Sequence, residues 1–308
     1  MSSEALIKLI NQHHRPGQYR YVLLDPLAVS EGSEQSLLAS LKLALGDKAM
    51  TRVVRPDLPR APGLHPVLVC LGSPGSSPDI SLLEATAQAA ERDMHRRKRH
   101  VCGWLLSEAP PTAVAAHLTA LCRLPDASGT TTFHPVYEPL RLELLAALFE
   151  RAEQGPWWPI ERWVFLTSGG SLASLKGQPH ARSGLPAGAL GVQQDIALIE
   201  AVLAIWKAST LFANNTIKVP AFPPFAAVRA FNHINDARGL GLSAEQDIRA
   251  LALHWLCLHP QLHTLTAVRD MISASIHQQY PLSAQMARYS DSNWRRLLAT
   301  LPNLEAYP

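Results

Sequence analysis

The sequence predicts a chain of the α+β or α/β class in two lobes: a mixed α/β lobe over residues 1–153 and an α-helical lobe over residues 191–308. Three observations carry this. Short β-branched or aromatic runs alternate with helix-like segments up to residue 153. Residues 154–190 are then dense in Gly, Pro and Ser and read as a connection. Beyond them only helical periodicity remains.

In chain order, the expected strands of the first lobe are Tyr19 to Leu24 (YRYVLL), Pro66 to Leu71 (PVLVCL), Val101 to Leu106 (VCGWLL) and Thr130 to Tyr137. The expected helices between and after them run from Glu34 to Leu45, Ser81 to Met94, Pro111 to Leu121 and Pro139 to Arg151. Pro111 and Pro139 each suit a first helical turn, where the missing N–H has no intrahelical partner to lose. Within the connection, Trp163 to Thr167 is a strand-like island, and "TSGGSLASLKG" after it reads as a mobile linker because it lacks the order of a phosphate-binding loop.

In the second lobe, Val192, Ile196, Ile199, Leu203 and Trp206 recur at three- and four-residue steps and form one apolar face. Pro223-Pro224 precede a helix expected to stop at Gly239. Ser243 and Gln246 have capping-box spacing and open a helix closed by Pro260. Two further helices are expected near Thr264 to Gln278 and Asp291 to Leu301.

With 28 Lys+Arg against 25 Asp+Glu, the net charge of +3 does not call for a nucleic-acid partner. The first residues lack a continuous apolar core and a small-residue cleavage site, so no secretion signal is expected. No membrane span is expected, because Ile196 to Trp206 is interrupted by Glu200 and far short of the roughly 20 apolar residues a bilayer requires. Cys70, Cys102, Cys122 and Cys257 form no CxxC pair and read as reduced, buried thiols, which places the chain in the cytoplasm.

Few residues suggest chemistry. Glu138 sits where a strand meets a helix and could serve as a general base, but Glu143 and Glu150 lie on the helix rather than beside it. The simpler role is an N-cap charge at the helix start. His254, Cys257, His259 and His263 crowd together, yet Pro260 interrupts their spacing and no second ligand pair exists elsewhere, so no metal is expected. There is no nucleophile elbow. Catalytic residues and cofactors are accordingly expected to be absent.

"ERDMHRRKRH" gathers Arg96, Arg97 and Arg99 at a helix end, where the helix dipole favours cations. A docking surface for an acidic partner is the second reading. Trp157, Trp158, Trp163 and Tyr137 are candidate aromatic anchors for a protein partner, since interface energy concentrates in such side chains. Core packing is the alternative.

Taken in order, "YRYVLLDPLA", "HPVLVCLG", "RHVCGWLLSEAPPTAVAAHLTALCRLPDASGTTTFHPVYEPLRLELLAALF" and "DARGLGLSAEQDIRALALHWLCLHPQL" resemble the adaptor-chaperone family of type VI secretion, called Tap or TEC. The segments span most of the chain. The resemblance implies a non-enzymatic cytosolic adaptor that clasps an effector toxin and promotes its loading onto the VgrG spike, with Tyr137 and Glu138 in a family motif. Three features depart from the family pattern. Glu138 stands where the family has Asp, Pro135 and Leu140 replace its two arginines, and "LPDASG" is longer than its "LPDG". An immunity-type toxin-binding protein, or an α/β enzyme with a site assembled from distant residues, are the alternative readings.

Overall fold

The computed structural model describes residues 3–28, 37–94, 96–149, 151–179, 184–211 and 222–302. It divides into two units, residues 1–194 and 195–308. The first contains α1 (Ser3–His13), β1 (Tyr19–Leu24), α2 (Leu37–Leu45), β2 (Met50–Arg52), β3 (Val67–Gly72), α3 (Ile80–Asp93), β4 (Val101–Ser107) and α4 (Pro111–Leu121). It continues with β5 (Arg123–Pro125), β6 (Thr131–Phe133), α5 (Pro139–Ala146), β7 (Arg162–Leu166), β8 (Leu172–Lys176) and α6 (Ala189–Gln194). The mixed α/β character expected of this half is therefore present.

Six strands form one antiparallel sheet in the order β2-β3-β1-β4-β7-β8, and β5 and β6 form a separate hairpin. Helices cover both faces of the sheet. Tyr21 and Leu23 of β1 pack with Val114 and Leu118 of α4 and Leu142 and Leu145 of α5. On the opposite face, Val22 and Leu24 pack with Leu6 and Ile10 of α1, Leu41 of α2, and Leu83 and Ala87 of α3. Two covered faces explain why β1 and β4 are nearly continuous apolar runs without the alternation of a half-exposed antiparallel strand.

In β4, Cys102 and Leu105 face one layer while Val101, Trp104 and Leu106 face the other. This phase shift comes from a bulge: Leu23 pairs with Gly103 but Leu24 pairs with Val101, which leaves Cys102 as the extra residue. Gly103 takes φ 151 there, and Trp163 Nε1 and the Val164 carbonyl each lie 2.7 Å from where a Cβ would stand. Only glycine fits both the torsion and the approach.

Several expectations change. Residues 154–190 are not a connection, since Arg162–Leu166 and Leu172–Lys176 are integral strands and "TSGG" is the turn between them, closed by Gly170 N–H to the Thr167 carbonyl at 3.0 Å. The physical reason is burial: Trp163 and Phe165 supply apolar mass that the sheet needs on one face, and Val164 and Leu166 on the other. The strand expected over 130–137 ends at Phe133, because Pro135 has no N–H for a ladder and Val136 and Glu138 turn back onto the His134 and Pro135 carbonyls. Strand β2 and helix α1 carry too little signal to have been expected. Glu34, the start of its expected helix, and Glu150 lie outside the described residues, as do residues 180–183 of the expected connection.

The second unit holds α7 (Ile196–Leu211), α8 (Ala226–Gly239), α9 (Glu245–Cys257), α10 (Thr266–Ile276), α11 (Leu282–Met286) and α12 (Asp291–Leu298). Ile196, Ile199 and Trp206 are buried as their spacing predicts. Small buried residues of α8, Ala227, Ala230 and Ala237, allow α7 and α9 to approach closely. Helix α8 ends at Gly239 as expected, but the left-handed residue that closes it is Gly241 and not Gly239. Gly241 takes φ 98, its N–H bonds the Arg238 carbonyl and the Leu242 N–H bonds the Ala237 carbonyl, which is a Schellman closure. The capping box does not form: Ala244 is the N-cap of α9 and no side chain caps it. Among the described residues, no helix is long and apolar enough to cross a membrane.

Candidate functional site

Glu138 occupies the N-cap of α5 with extended torsions, φ −60 and ψ 133, but its side chain caps nothing. Its carboxylate instead accepts from Arg141 Nε at 3.1 Å and pairs with Lys98 Nζ at 3.7 Å. The neighbouring carboxylate is Asp25, at the end of β1 and 1% exposed. Burial raises Asp25 to about 6; the Leu27 N–H bond opposes that rise and the charge of Glu138 adds to it. Around them, His100 Nδ1 lies 2.8 Å from the Asp25 carbonyl, and Arg55 Nη1 donates to Tyr137 Oη at 3.3 Å. Arg55 also grips Asp57 through bonds of 3.2 and 2.6 Å.

This network joins four separate stretches: the end of β1, residues 55–57, residues 98–100 and the start of α5. It brings the Asp25-Pro26 and Glu138-Pro139 pairs of the sequence together. Chemically it is a strut: Arg141 and Lys98 hold Glu138, Arg55 holds Asp57 and the Tyr137 hydroxyl, and Asp25 is sealed from solvent. Asp25 and Arg55 were not expected as site residues. The Asp-Pro pair immediately after an apolar strand is the signal in the sequence that points to the first of them.

The aromatic candidates separate sharply. Tyr137, Trp157 and Trp163 are all 0% exposed, which excludes them as surface anchors. Trp157 stands edge-on to Trp163 at 6.4 Å and to Phe149 at 5.8 Å, filling the layer under α4 and α5. Gly155 lets this happen, since a Cβ there would lie 2.2 Å from the Trp157 indole. Trp158 is 41% exposed and is the aromatic candidate that a partner can reach.

The basic candidates separate too. Arg96 and Arg97 are exposed beyond the end of α3, with Arg96 Nε 3.4 Å from Asp93. Arg99 is turned inward: its Nη1 donates to the Leu166 and Thr167 carbonyls at 2.8 and 2.9 Å. Burial lowers its pKa, against the pull of Glu143. Glu143 in turn accepts from the N–H and hydroxyl of Ser168 at 2.5 and 2.8 Å. Arg99 and Glu143 thus fasten the β7–β8 turn, and Arg99 is corrected from a partner contact to a structural clamp.

The histidines of the 254–263 stretch have local roles. His254 Nδ1 sits 2.7 Å from the Ala250 carbonyl and its ring packs on Trp294. His259 bonds the Pro302 carbonyl at 3.0 Å and accepts from the Gln261 N–H. Among the described residues no three His, Cys, Asp or Glu side chains are grouped to hold a metal. Burial drives the Cys122 thiol up to about 12 and Cys102 well above its ordinary value, so both stay protonated.

The first unit has an open cleft of about 500 Å³ that exposes Trp158 beside Arg162, Lys176 and an ionic cluster. In that cluster Arg15 pairs with Glu161 and lies 3.3 Å from Glu108, while Gln18 Nε2 donates to Glu161 at 2.9 Å. The cleft is lined mainly by charged and polar side chains, with Trp158 and Pro179 as its apolar part. None of its residues except Trp158 was expected, because they come from four separated segments. Comparisons of the chain with protein-family models, with curated proteins and with solved structures found no match.

Proposed function

We propose that the chain is a non-enzymatic adaptor that binds a type VI secretion effector and promotes its loading onto the VgrG spike. The observation that carries this reading is the placement of the stretches that resemble the family. "YRYVLLD", "PVLVCLG" and "VCGWLLS" are β1, β3 and β4, adjacent strands at the centre of the sheet, and Tyr137 of "YEP" is buried in the same core layer as Tyr21 and Leu23 of β1 and accepts a bond from Arg55. The resemblance therefore maps onto one contiguous frame rather than onto scattered fragments. An adaptor needs a firm frame and an accessible contact surface. The exposed Trp158 and the exposed Arg96 and Arg97 offer such contacts.

One observation favours a second reading, an enzyme: Asp25 titrates near neutral pH beside a second carboxylate, a pattern common in catalytic sites. Its 1% exposure weighs against contact with a substrate.

Co-expression with an effector and its spike decides between them. The adaptor reading predicts that the effector stays soluble only with the chain present and that Asp25→Asn leaves this unchanged. An effector equally soluble and equally loaded without the chain would overturn it.

A further inference from the structure

The cleft beside Trp158 contains an arrangement of charge that folding does not require. The antiparallel register aligns Arg20, Leu106, Arg162 and Lys176 on successive strands β1, β4, β7 and β8. Arg162 and Lys176 consequently stand directly opposite one another, with Cβ atoms roughly 5 Å apart, and like charges so placed cost stability.

The local acids do not relieve this. Glu161 is held by Arg15, by Gln18 and by the Glu108 N–H at 3.1 Å. Among the described residues neither Arg162 nor Lys176 enters an ion pair, and Arg162 has a long bond of 3.4 Å to Ser174. His13, at the end of α1, adds no charge there, because burial and the nearby Arg162 guanidinium both lower its pKa. Glu153 attracts Arg162 from a distance, but desolvation of the guanidinium outweighs it.

We propose that this cleft binds one carboxylate of a partner protein, an Asp or Glu side chain that enters between Arg162 and Lys176 while the adjacent apolar side chain lies on Trp158. Charge complementarity selects this occupant. The walls hold the cations Arg15, Arg162 and Lys176 against the carboxylates Glu108 and Glu161, an excess of one positive charge that a single carboxylate neutralises. A phosphate dianion carries one negative charge more than that excess, and a nucleic-acid backbone carries many more. The cleft is of the size that accepts a few side chains. The inference deepens the protein-binding reading and rests on it, but it does not depend on which partner is bound.

The test uses the full chain and amidated, acetylated heptapeptides with a central Glu flanked by Leu or Phe, carrying a neutral fluorophore, read by anisotropy. A Glu pool should bind roughly tenfold more tightly than the matching Gln pool, with the advantage shrinking as salt rises from about 0.05 to about 0.5 M. The double variant Arg162→Gln, Lys176→Gln should erase the preference, and Trp158→Ala should weaken binding of both pools severalfold. Lys176→Gln alone should keep or slightly raise the melting temperature, since it removes a like-charge pair.

Equal binding of the two pools, no binding by either, or a preference that survives the double variant would overturn the proposal. So would tighter binding of a phosphoserine pool, or binding confined to peptides with a free carboxy terminus. Capture of an effector by the wild type and equally by the double variant would sink the cleft assignment and leave the adaptor reading standing. Glu-peptide binding without effector capture would do the reverse.

Discussion

At the scale of single residues, Asp25 makes the most specific claim. Its pKa rises from 3.8 in the free side chain to about 6 in the fold, so the folded state binds the proton more tightly than the unfolded chain does. The stability this provides is complete below about pH 4 and is lost as pH climbs through about 6, at most about 3 kcal/mol. Asp25→Asn keeps an acceptor for the Leu27 N–H and removes the loss. Urea denaturation should show the variant more stable than wild type at pH 8 by about 1–3 kcal/mol and little different at pH 4. Equal stability at pH 8 would refute the burial argument. Gly103 makes a second claim: with φ 151 and an indole nitrogen and a carbonyl 2.7 Å from the missing Cβ, Gly103→Ala should cost about 2 kcal/mol or more, read as a lowered denaturation midpoint. Neither residue is legible in sequence as special. Asp25 becomes so only when folding buries it, and Gly103 only when the bulge opposite Leu23 and Leu24 is known.

Elements differ in how far composition betrays them. β1, β3 and β4 are readable because both faces of the sheet are covered and each strand is apolar throughout. β8, "LASLK", hides in a Gly/Ser-rich stretch because only Leu175 of its residues is buried. Adjacent tryptophans show the limit most plainly: Trp157 and Trp158 look alike in sequence, yet one is 0% exposed in the core and the other 41% exposed on the cleft. This contrast is measurable. Trp157→Ala and Trp163→Ala should each cost about 3–5 kcal/mol and yield poorly folded protein, whereas Trp158→Ala should cost about 1 kcal/mol or less. Thermal melts of the three variants check it. The helix caps show the same dependence on context. Asp79 caps α3 through the Ser81 and Leu82 N–H groups, while the box-like Ser243 and Gln246 cap nothing.

At the scale of the whole molecule, the first unit has a frame and a surface built on it. The frame is the six-stranded sheet between two helical layers, tied at one point by the Asp25, Arg55, Tyr137 and Glu138 network. The class of fold was legible because alternating strand and helix segments give way to helical periodicity alone. The contact surface was not, because Arg15, Trp158, Arg162 and Lys176 are assembled by the register of β7 against β8 and by the end of α1. The central claim is that this molecule acts by holding another protein. Its most direct test is size-exclusion chromatography with mass determination on purified chain, effector and VgrG, mixed pairwise and together. The account predicts a stoichiometric complex of chain with effector and a larger assembly when the spike is added. Effector and spike that elute together while the chain elutes alone would contradict it.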